Sequence, residues 1–514
     1  MSAPKTLCVA IAGTVALLGL AAPGAGHAAA ERPSLPKLSA PLPVSATSYP
    51  FLAADHQQAP TDLAKYGYVE EEYLVTGQAR VFDWPDKAGP KVLAKGPYTT
   101  RILVRRPKDA RKFNGTAIVE PLNPSEDVDL PIMWAESYAQ LMADGYAWVG
   151  VTIKPNTIKA LQAFDLARYR AVAMPNPRPG ASCPADRINA SSKPTTPADE
   201  SGLAWDMISQ IGALLKAPNG GAVIGRPAAR LYMTGQSQTA GYARTYATVF
   251  ARSTAGPNGK PLYDGYLYSG SPPWQVPLNQ CVKDLAEGDP RLLTGPAGAP
   301  VIELFTQGDM KTNVETRRPD SDKAPDLFRR YEVAGAAHVD PWERLGFSTA
   351  ADVKRAHGRV DAGPPACTPA DVQATDFPNR YVFDAAWRNL DRWVRQGVPA
   401  PHATPLELKP GAAKLAPDQQ FFLDAEGNAK GGLRTPYVDV PTARWVGAKS
   451  GAFQCLFYGY KFPFDRAALG RLYGDHAGYV AKVKANVAQL QAKGWLTTAD
   501  GAAIVREAEQ AAVP

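Results

Sequence analysis

The segment RLYMTGQSQTAG, residues 230–241, places a serine between an apolar run and a helical pattern. Where a strand turns sharply into a helix, the turn residue is strained and its side chain projects from the edge of the sheet. Strand and helix approach closely there, so a small residue is needed two positions before the serine, and Gly235 meets that need. The pattern predicts a nucleophile elbow at Ser237, although Thr239 replaces the last glycine of a strict G-x-S-x-G. The alternative is an ordinary turn in which the serine caps the helix.

A serine hydroxyl is a weak nucleophile and needs a base to remove its proton. His338 is the histidine that lies just beyond a predicted strand, and it follows Ser237 in the chain. The order Ser, acid, His is the one found in α/β-hydrolases, so the acid is expected between these two residues. We predict Asp309, directly after the predicted strand 300–306, as the carboxylate that orients the imidazole. Glu303, in the middle of that strand, is the alternative.

An acyl-transfer site also needs N–H donors for the oxyanion. The first predicted donor is the backbone N–H of Gln238, directly after the nucleophile. The second is expected in the loop after the predicted strand 116–120. Pro121 has no N–H, so Leu122 or Asn123 is predicted to serve.

Neither a metal nor a cofactor is predicted. The acidic residues Glu126, Asp127 and Asp129 are expected to be solvated loop carboxylates rather than metal ligands. The sequence contains neither Cys-x-x-Cys nor His-Glu-x-x-His, so it carries no zinc signature. The net charge of +7 comes from 56 basic and 49 acidic residues without a basic block, which argues against a nucleic-acid partner.

Short apolar runs alternate with helical periodicity along most of the chain. This alternation predicts an α/β fold, with a mostly parallel central sheet and helices on both of its faces. Predicted strands cover residues 72–82, 99–105, 116–120, 146–153, 230–234, 263–269, 300–306 and 329–333. Predicted helices cover residues 133–143, 202–215, 240–250, 382–394 and 479–493.

We divide the chain into a leader, residues 1–30, an N-terminal arm, residues 31–70, a hydrolase core, residues 71–401, and a C-terminal extension, residues 402–514. The proline-rich stretch 154–200 and the stretch 340–378 are predicted to be irregular, lid-like insertions within the core.

The first 30 residues have the pattern of a secretory signal peptide. Lys5 precedes an apolar stretch too short to favour a membrane span, and a run of alanines before residue 31 resembles a cleavage site. The protein is therefore expected to be secreted, outside the cell or in the periplasm, and not to be anchored in a membrane. Export favours disulfides among the four remaining cysteines, whose pairing the sequence leaves open: Cys183, Cys281, Cys367 and Cys455.

Several segments together resemble a bacterial branch of the α/β-hydrolase superfamily known as the α/β-hydrolase-domain family, over about residues 70–500. They are FNGTAIVEPLN (113–123), DGYAWVGVT (144–152), GQSQTAG (235–241), RRPDSD (317–322), EVAGAAHVD (332–340), LDRWVRQG (390–397), DAEGNAKGGLRTPYVDVP (424–441) and FPFD (462–465). The resemblance implies Ser237 as nucleophile and His338 as base, and it extends less securely to Asp309. Residue 239 is often not glycine in that family, and the resemblance also implies that the extension packs on the core.

These residues predict a serine hydrolase that cleaves a carboxylic ester, either small or polymeric, through an acyl-enzyme. An amidase or peptidase with the same three residues is the first alternative. A catalytically silent binding protein on a hydrolase scaffold is the second, because a fold alone does not establish activity.

Overall fold

The computed structural model describes residues 30–84, 89–180, 198–281, 285–286, 288–359, 372–449 and 453–514. Most of the predicted signal peptide, together with Cys183 and Cys367, lies outside these residues. Disulfide formation among the four cysteines therefore stays a prediction, and their pairing stays open. Within the described residues, no helix combines the length and the apolarity that crossing a bilayer requires.

The strands of the main sheet are β1 (Lys37–Leu38), β2 (Tyr68–Asp83), β3 (Lys91–Pro107), β4 (Thr116–Pro121), β5 (Ala147–Val151), β6 (Arg230–Gln236), β7 (Gly265–Ser269), β8 (Val301–Thr306), β9 (Ser321–Lys323) and β10 (Asp326–Val333). Every residue of β4, β5, β7 and β8 is buried. Continuous apolar runs such as AWVGV form these strands because both faces of the sheet are covered.

The order of the strands in the sheet is β1-β2-β3-β5-β4-β6-β7-β8-β10-β9. The strands from β5 to β10 in this order run parallel, and antiparallel strands flank them on both sides. The carboxyl ends of β6, β8 and β10 therefore meet at one edge of the sheet. The residues that follow them, including Ser237, Asp309 and His338, are brought to that edge.

The helices before the extension are α1 (Ile132–Ala143), α2 (Pro155–Phe164), α3 (Leu166–Tyr169), α4 (Ala204–Lys216), α5 (Gly221–Ile224), α6 (Gln238–Val249), α7 (Met310–Asn313), α8 (Pro341–Leu345), α9 (Ala350–Arg355) and α10 (Arg380–Gln396). The predicted alternation of strands and helices is thus present, with bounds that differ from the prediction by a few residues. The predicted fold class is confirmed.

The two stretches predicted to be irregular contain helices. Residues 155–169 form α2 and α3, and the second stretch contains α8 and α9. The prediction of irregular structure was wrong here because it treated proline as a helix breaker. Pro155 and Pro341 occupy the first turn of a helix, where the missing N–H costs nothing. Residues 181–197 and 360–371 of these stretches lie outside the described residues.

The extension contains α11 (Pro436–Asp439), α12 (Arg466–Tyr473), α13 (His476–Ala492) and α14 (Thr498–Gln510). A small second sheet consists of β11 (Gln373–Ala374), β12 (Ala443–Val446) and β13 (Tyr460–Pro463). The extension supplies β12 and β13, and the core supplies β11. A bridge joins Leu433 to Val333 at the end of β10, and Tyr381 of α10 shares an apolar cluster with α13 and α14. The extension therefore packs on the core.

Four carboxyl groups are buried together where α1, α8 and α10 meet: Glu136, Asp340, Glu343 and Asp384. Burial, and after it the neighbouring carboxylate of Asp340, raises the pKa of Glu136 well above its usual range. A carboxyl whose pKa is higher in the folded than in the unfolded protein stabilises at low pH, and this contribution is lost as the pH rises.

We expect Glu136→Gln to raise the melting temperature by a few degrees at pH 8 and to change it little at pH 4, where the glutamate is protonated in the folded protein. Scanning calorimetry at the two pH values measures this difference. The exposed Glu407 serves as the control, and Glu407→Gln is expected to have no effect at either pH. An equal shift at both pH values would contradict the electrostatic explanation.

Candidate active site

The turn between β6 and α6 holds Ser237 in a strained conformation. Its backbone angles are φ 56° and ψ −121°, a region that residues other than glycine rarely adopt. The side chain makes no capping hydrogen bond to α6, so the alternative of a capping serine does not describe this turn. A Cβ atom on Gly235 would lie 2.4 Å from the carbonyl oxygen of Thr239, which explains the need for glycine there.

Asp309 and His338 are in direct contact at the same edge of the sheet. The Asp309 Oδ1 atom lies 2.5 Å from Nδ1 of His338. The other carboxylate oxygen, Oδ2, accepts hydrogen bonds from the backbone N–H of Thr306 at 2.7 Å and from its hydroxyl at 2.9 Å. The alternative acid, Glu303, instead accepts a hydrogen bond from Ser271 at 3.2 Å and lies 3.5 Å from Arg330. Asp309 is therefore the acid that the structure places on the imidazole.

These contacts fix the position of the imidazole hydrogen. A carboxylate only accepts hydrogen bonds, so Nδ1 of His338 donates to Asp309, and in the neutral imidazole Nε2 carries the lone pair. The side-chain amide of Gln236 lies 3.3 Å from this Nε2 atom and also donates to the His338 carbonyl at 3.1 Å. No hydrogen bond from the Ser237 hydroxyl is found among the described residues. Asp309 thus contacts Nδ1 of His338, and the side chain of Gln236, the residue before Ser237, contacts Nε2.

The prediction of the second oxyanion donor is not supported. The N–H of Leu122 donates to the Val151 carbonyl and the N–H of Asn123 to the Leu130 carbonyl, each at 2.9 Å. Both donors are used because the chain continues to pair with its neighbours beyond the end of β4. Gln238 differs from them, since it begins α6, where the first N–H groups have no partner within the helix.

Asn123 has a different contact with the site. Its side-chain amide donates to the backbone carbonyl of Gln236 at 2.8 Å, and its amide oxygen accepts from the N–H of Ser125 at 2.9 Å. The loop after β4 therefore contacts the nucleophile turn. In the sheet, β4 lies on one side of β6, and β10, which precedes His338, lies on the other.

The acidic residues in the loop after β4 differ in their surroundings. The expectation of solvated carboxylates is wrong for Asp129, which is buried and accepts hydrogen bonds from Arg101 at 2.8 Å and from Thr152 at 2.5 Å. Asp127 lies 3.0 Å from Arg359. In the described part of the chain, no group of three or more His, Cys, Asp or Glu side chains is arranged to hold a metal ion.

Two contacts at the site were not anticipated from the sequence. Phe457, from the extension, lies with its ring centroid 5.0 Å from that of His338, and its carbonyl accepts the N–H of Val339 at 3.0 Å. Gln236 contacts the base although it occupies the variable position of G-x-S. The spacing of a motif says nothing about such side chains, so the signal for them lies in the three-dimensional packing.

The strand order, the strained serine after β6 and the acid–imidazole pair after β8 and β10 define an α/β-hydrolase. A family model described as "Alpha/beta hydrolase domain" matches residues 38–506. The chain belongs to this family, which confirms the resemblance seen in the sequence motifs. No match is found among curated protein sequences.

The solved structures that match this chain include hydrolases from several bacteria. One is a dienelactone hydrolase from Anabaena variabilis, which is 11% identical to this chain. The match covers 55% of this chain and 94% of the dienelactone hydrolase, with a TM-score of 0.27. A thermostable esterase from Pseudomonas putida is 12% identical over 58% of this chain and 83% of its own, with a TM-score of 0.30. A glucuronoyl esterase from Solibacter usitatus is 10% identical. The match covers 59% of this chain and 82% of that esterase, with a TM-score of 0.29.

Proposed function

We propose that this α/β-hydrolase cleaves carboxylic esters, with Ser237 as nucleophile, His338 as general base and Asp309 as the acid that orients the base. The observation that carries the proposal is the contact of 2.5 Å between Asp309 and Nδ1 of His338, at the sheet edge where Ser237 is strained. In the neutral imidazole, this contact keeps the hydrogen on Nδ1 and the lone pair on Nε2, which is the tautomer that a general base requires.

In the proposed reaction, the Ser237 hydroxyl replaces the Gln236 amide at Nε2 of His338. The oxygen of the serine attacks the ester carbonyl carbon while Nε2 takes its proton. The tetrahedral intermediate expels the alcohol, which receives that proton, and leaves an acyl group on the serine. A water molecule, activated by the same imidazole, then releases the carboxylic acid and restores the hydroxyl.

The oxyanion of each tetrahedral intermediate is proposed to bind the N–H of Gln238 at the start of α6. The positive end of the helix dipole adds to this interaction. A second donor is expected from elsewhere at the sheet edge, because the N–H groups of Leu122 and Asn123 already donate to carbonyls.

A fluorophosphonate probe tests the nucleophile, because it reacts covalently with an activated serine. We expect the wild-type protein to be labelled on the peptide that contains Ser237, and Ser237→Ala to remain unlabelled. Ser253 is exposed and lies beyond the far end of α6, so Ser253→Ala is the matched control and should label like the wild type. Failure of the folded wild-type protein to label would favour the silent scaffold.

Matched chromogenic ester and anilide substrates separate the esterase from the amidase. We expect turnover of the ester to be the faster, because an alkoxide leaves without the protonation that an amine requires. A series of increasing acyl length then defines the acyl group. Faster turnover of the anilide would reverse the assignment.

We also propose that the protein is exported and that its cysteines form disulfides. The support is the leader pattern in residues 1–30 and the even number of cysteines that remain after its removal. N-terminal sequencing of the mature protein should begin at or near Glu31. Peptide mapping without reduction should identify which of the three pairings is present.

A further inference from the structure

Lys154 is a buried lysine without a partner for its charge. The residue is 8% exposed and lies just beyond the carboxyl end of β5. Within the described residues, its ammonium group makes no hydrogen bond or ion pair, and Nζ lies 5.6 Å from the centroid of the Tyr242 ring. Burial lowers the pKa of Lys154 to about 8, so the group is still mostly protonated at neutral pH.

Two hydrogen bonds link the start of α2, which follows Lys154, to the nucleophile turn. The side-chain amide of Asn156, two residues further on, lies 3.4 Å from the carbonyl of Pro124. Asn123, the neighbour of that proline, donates to the carbonyl of Gln236 at 2.8 Å. One short loop therefore connects the start of α2 to the residue that precedes Ser237.

A buried polar atom without a partner also lies on α6, near the residue that contacts Lys154. Gln238 and Tyr242 are four residues apart on α6, so their side chains are neighbours on one face of the helix. The side-chain oxygen of Gln238 is buried and accepts no hydrogen bond in the described structure. An unpaired amide oxygen at Gln238 and an ammonium near Tyr242 thus lie along the start of α6, which begins immediately after Ser237.

Burying an unpaired charge destabilises a protein, and lysines are seldom fully buried without a partner. A ligand that brings a negative charge to Nζ would offset this cost. A single ammonium group is matched by a singly charged anion, and a carboxylate also has two oxygens that can accept its hydrogens.

We propose that Lys154 binds a free carboxylate on the substrate, so that this hydrolase prefers esters whose acyl part carries a second, ionised carboxyl group. The inference rests on the proposed function, because it places the subsite beside the proposed nucleophile. It assigns Lys154 as a specificity-determining residue.

The test compares 4-nitrophenyl hydrogen glutarate with 4-nitrophenyl pentanoate, which has the same acyl length and no charge. We expect the wild-type enzyme to prefer the glutarate ester. The ratio of the two kcat/KM values should fall about 10- to 100-fold in Lys154→Met, because a hydrogen-bonded charge pair is lost. Lys154→Arg should keep part of the preference. Lys159, exposed on the same helix, provides the control variant Lys159→Met, which should keep the wild-type ratio.

A measurement on the wild type keeps the test decisive if a variant does not fold. Free glutarate should inhibit hydrolysis of the neutral ester competitively and more strongly than pentanol. Equal hydrolysis of both esters, or a preference that survives in Lys154→Met, would overturn the carboxylate subsite while leaving the esterase intact. Absence of hydrolysis of both esters, together with absence of labelling at Ser237, would instead overturn the proposed function.

Discussion

Asp309→Asn is expected to lower kcat about 10⁴-fold on any ester that the wild-type protein cleaves. Thr306 explains why. Its N–H and hydroxyl both donate to Oδ2, so the asparagine would place its carbonyl oxygen toward Thr306 and its NH₂ group toward His338. Nδ1 would then have to accept a hydrogen bond, which moves the imidazole hydrogen to Nε2 and removes the lone pair that takes the serine proton.

A second, sharper prediction concerns the same position. Asp309→Ala removes the carboxylate but does not force the wrong form of the imidazole, so the asparagine variant should be at least as impaired as the alanine variant. Steady-state kinetics on one chromogenic ester measures both. Glu303→Gln is the matched control, because that carboxyl contacts Ser271 and Arg330 rather than His338. A larger loss of kcat in Glu303→Gln than in Asp309→Asn would reverse the assignment of the acid.

The elements that carry the site were predictable because simple rules constrain them. Apolar runs of about five residues, such as AWVGV in β5, are typical of buried strands, and parallel strands bring their carboxyl ends to one edge. Ser237, Asp309 and His338 each follow such a strand, so order and position were enough to predict their proximity. The contact between Asp309 and His338 agrees with that reasoning.

The rest of the site depends on contacts that leave no periodic trace in the sequence. Leu122 and Asn123 lie where an oxyanion donor is expected, but the chain continues to pair with its neighbours beyond β4 and uses both N–H groups. Phe457 reaches His338 from a part of the chain more than a hundred residues away. The prediction that residues 154–200 are irregular was wrong for α2 and α3. Proline breaks a helix in its interior but is favoured in its first turn, and the sequence does not show which position a proline occupies.

Gly270 packs against the acid–base pair, His338 and Asp309. It lies at the end of β7, the strand between β6, which precedes Ser237, and β8, which precedes Asp309. It follows β7 with φ +63°, and a Cβ atom there would lie 3.0 Å from Nδ1 and from Cε1 of His338, and 3.1 Å from Oδ1 of Asp309. These distances are shorter than ordinary van der Waals contacts, so an alanine would displace the imidazole from its carboxylate. We expect Gly270→Ala to lower kcat about 10²-fold, since displacements of the order of an ångström have effects of that size.

The positive φ would also destabilise the alanine variant, by about 1 kcal/mol, and this effect must be separated from the clash. Gly259 allows the separation, because its φ is +76° and a Cβ atom there would contact no atom within 4 Å. Both variants should lose similar stability in urea, whereas Gly270→Ala alone should lose activity. An equal loss of kcat in Gly259→Ala would attribute the effect to backbone strain. Wild-type activity in Gly270→Ala would mean that the acid–base pair tolerates movement, against the requirement for a fixed imidazole on which the proposed mechanism depends.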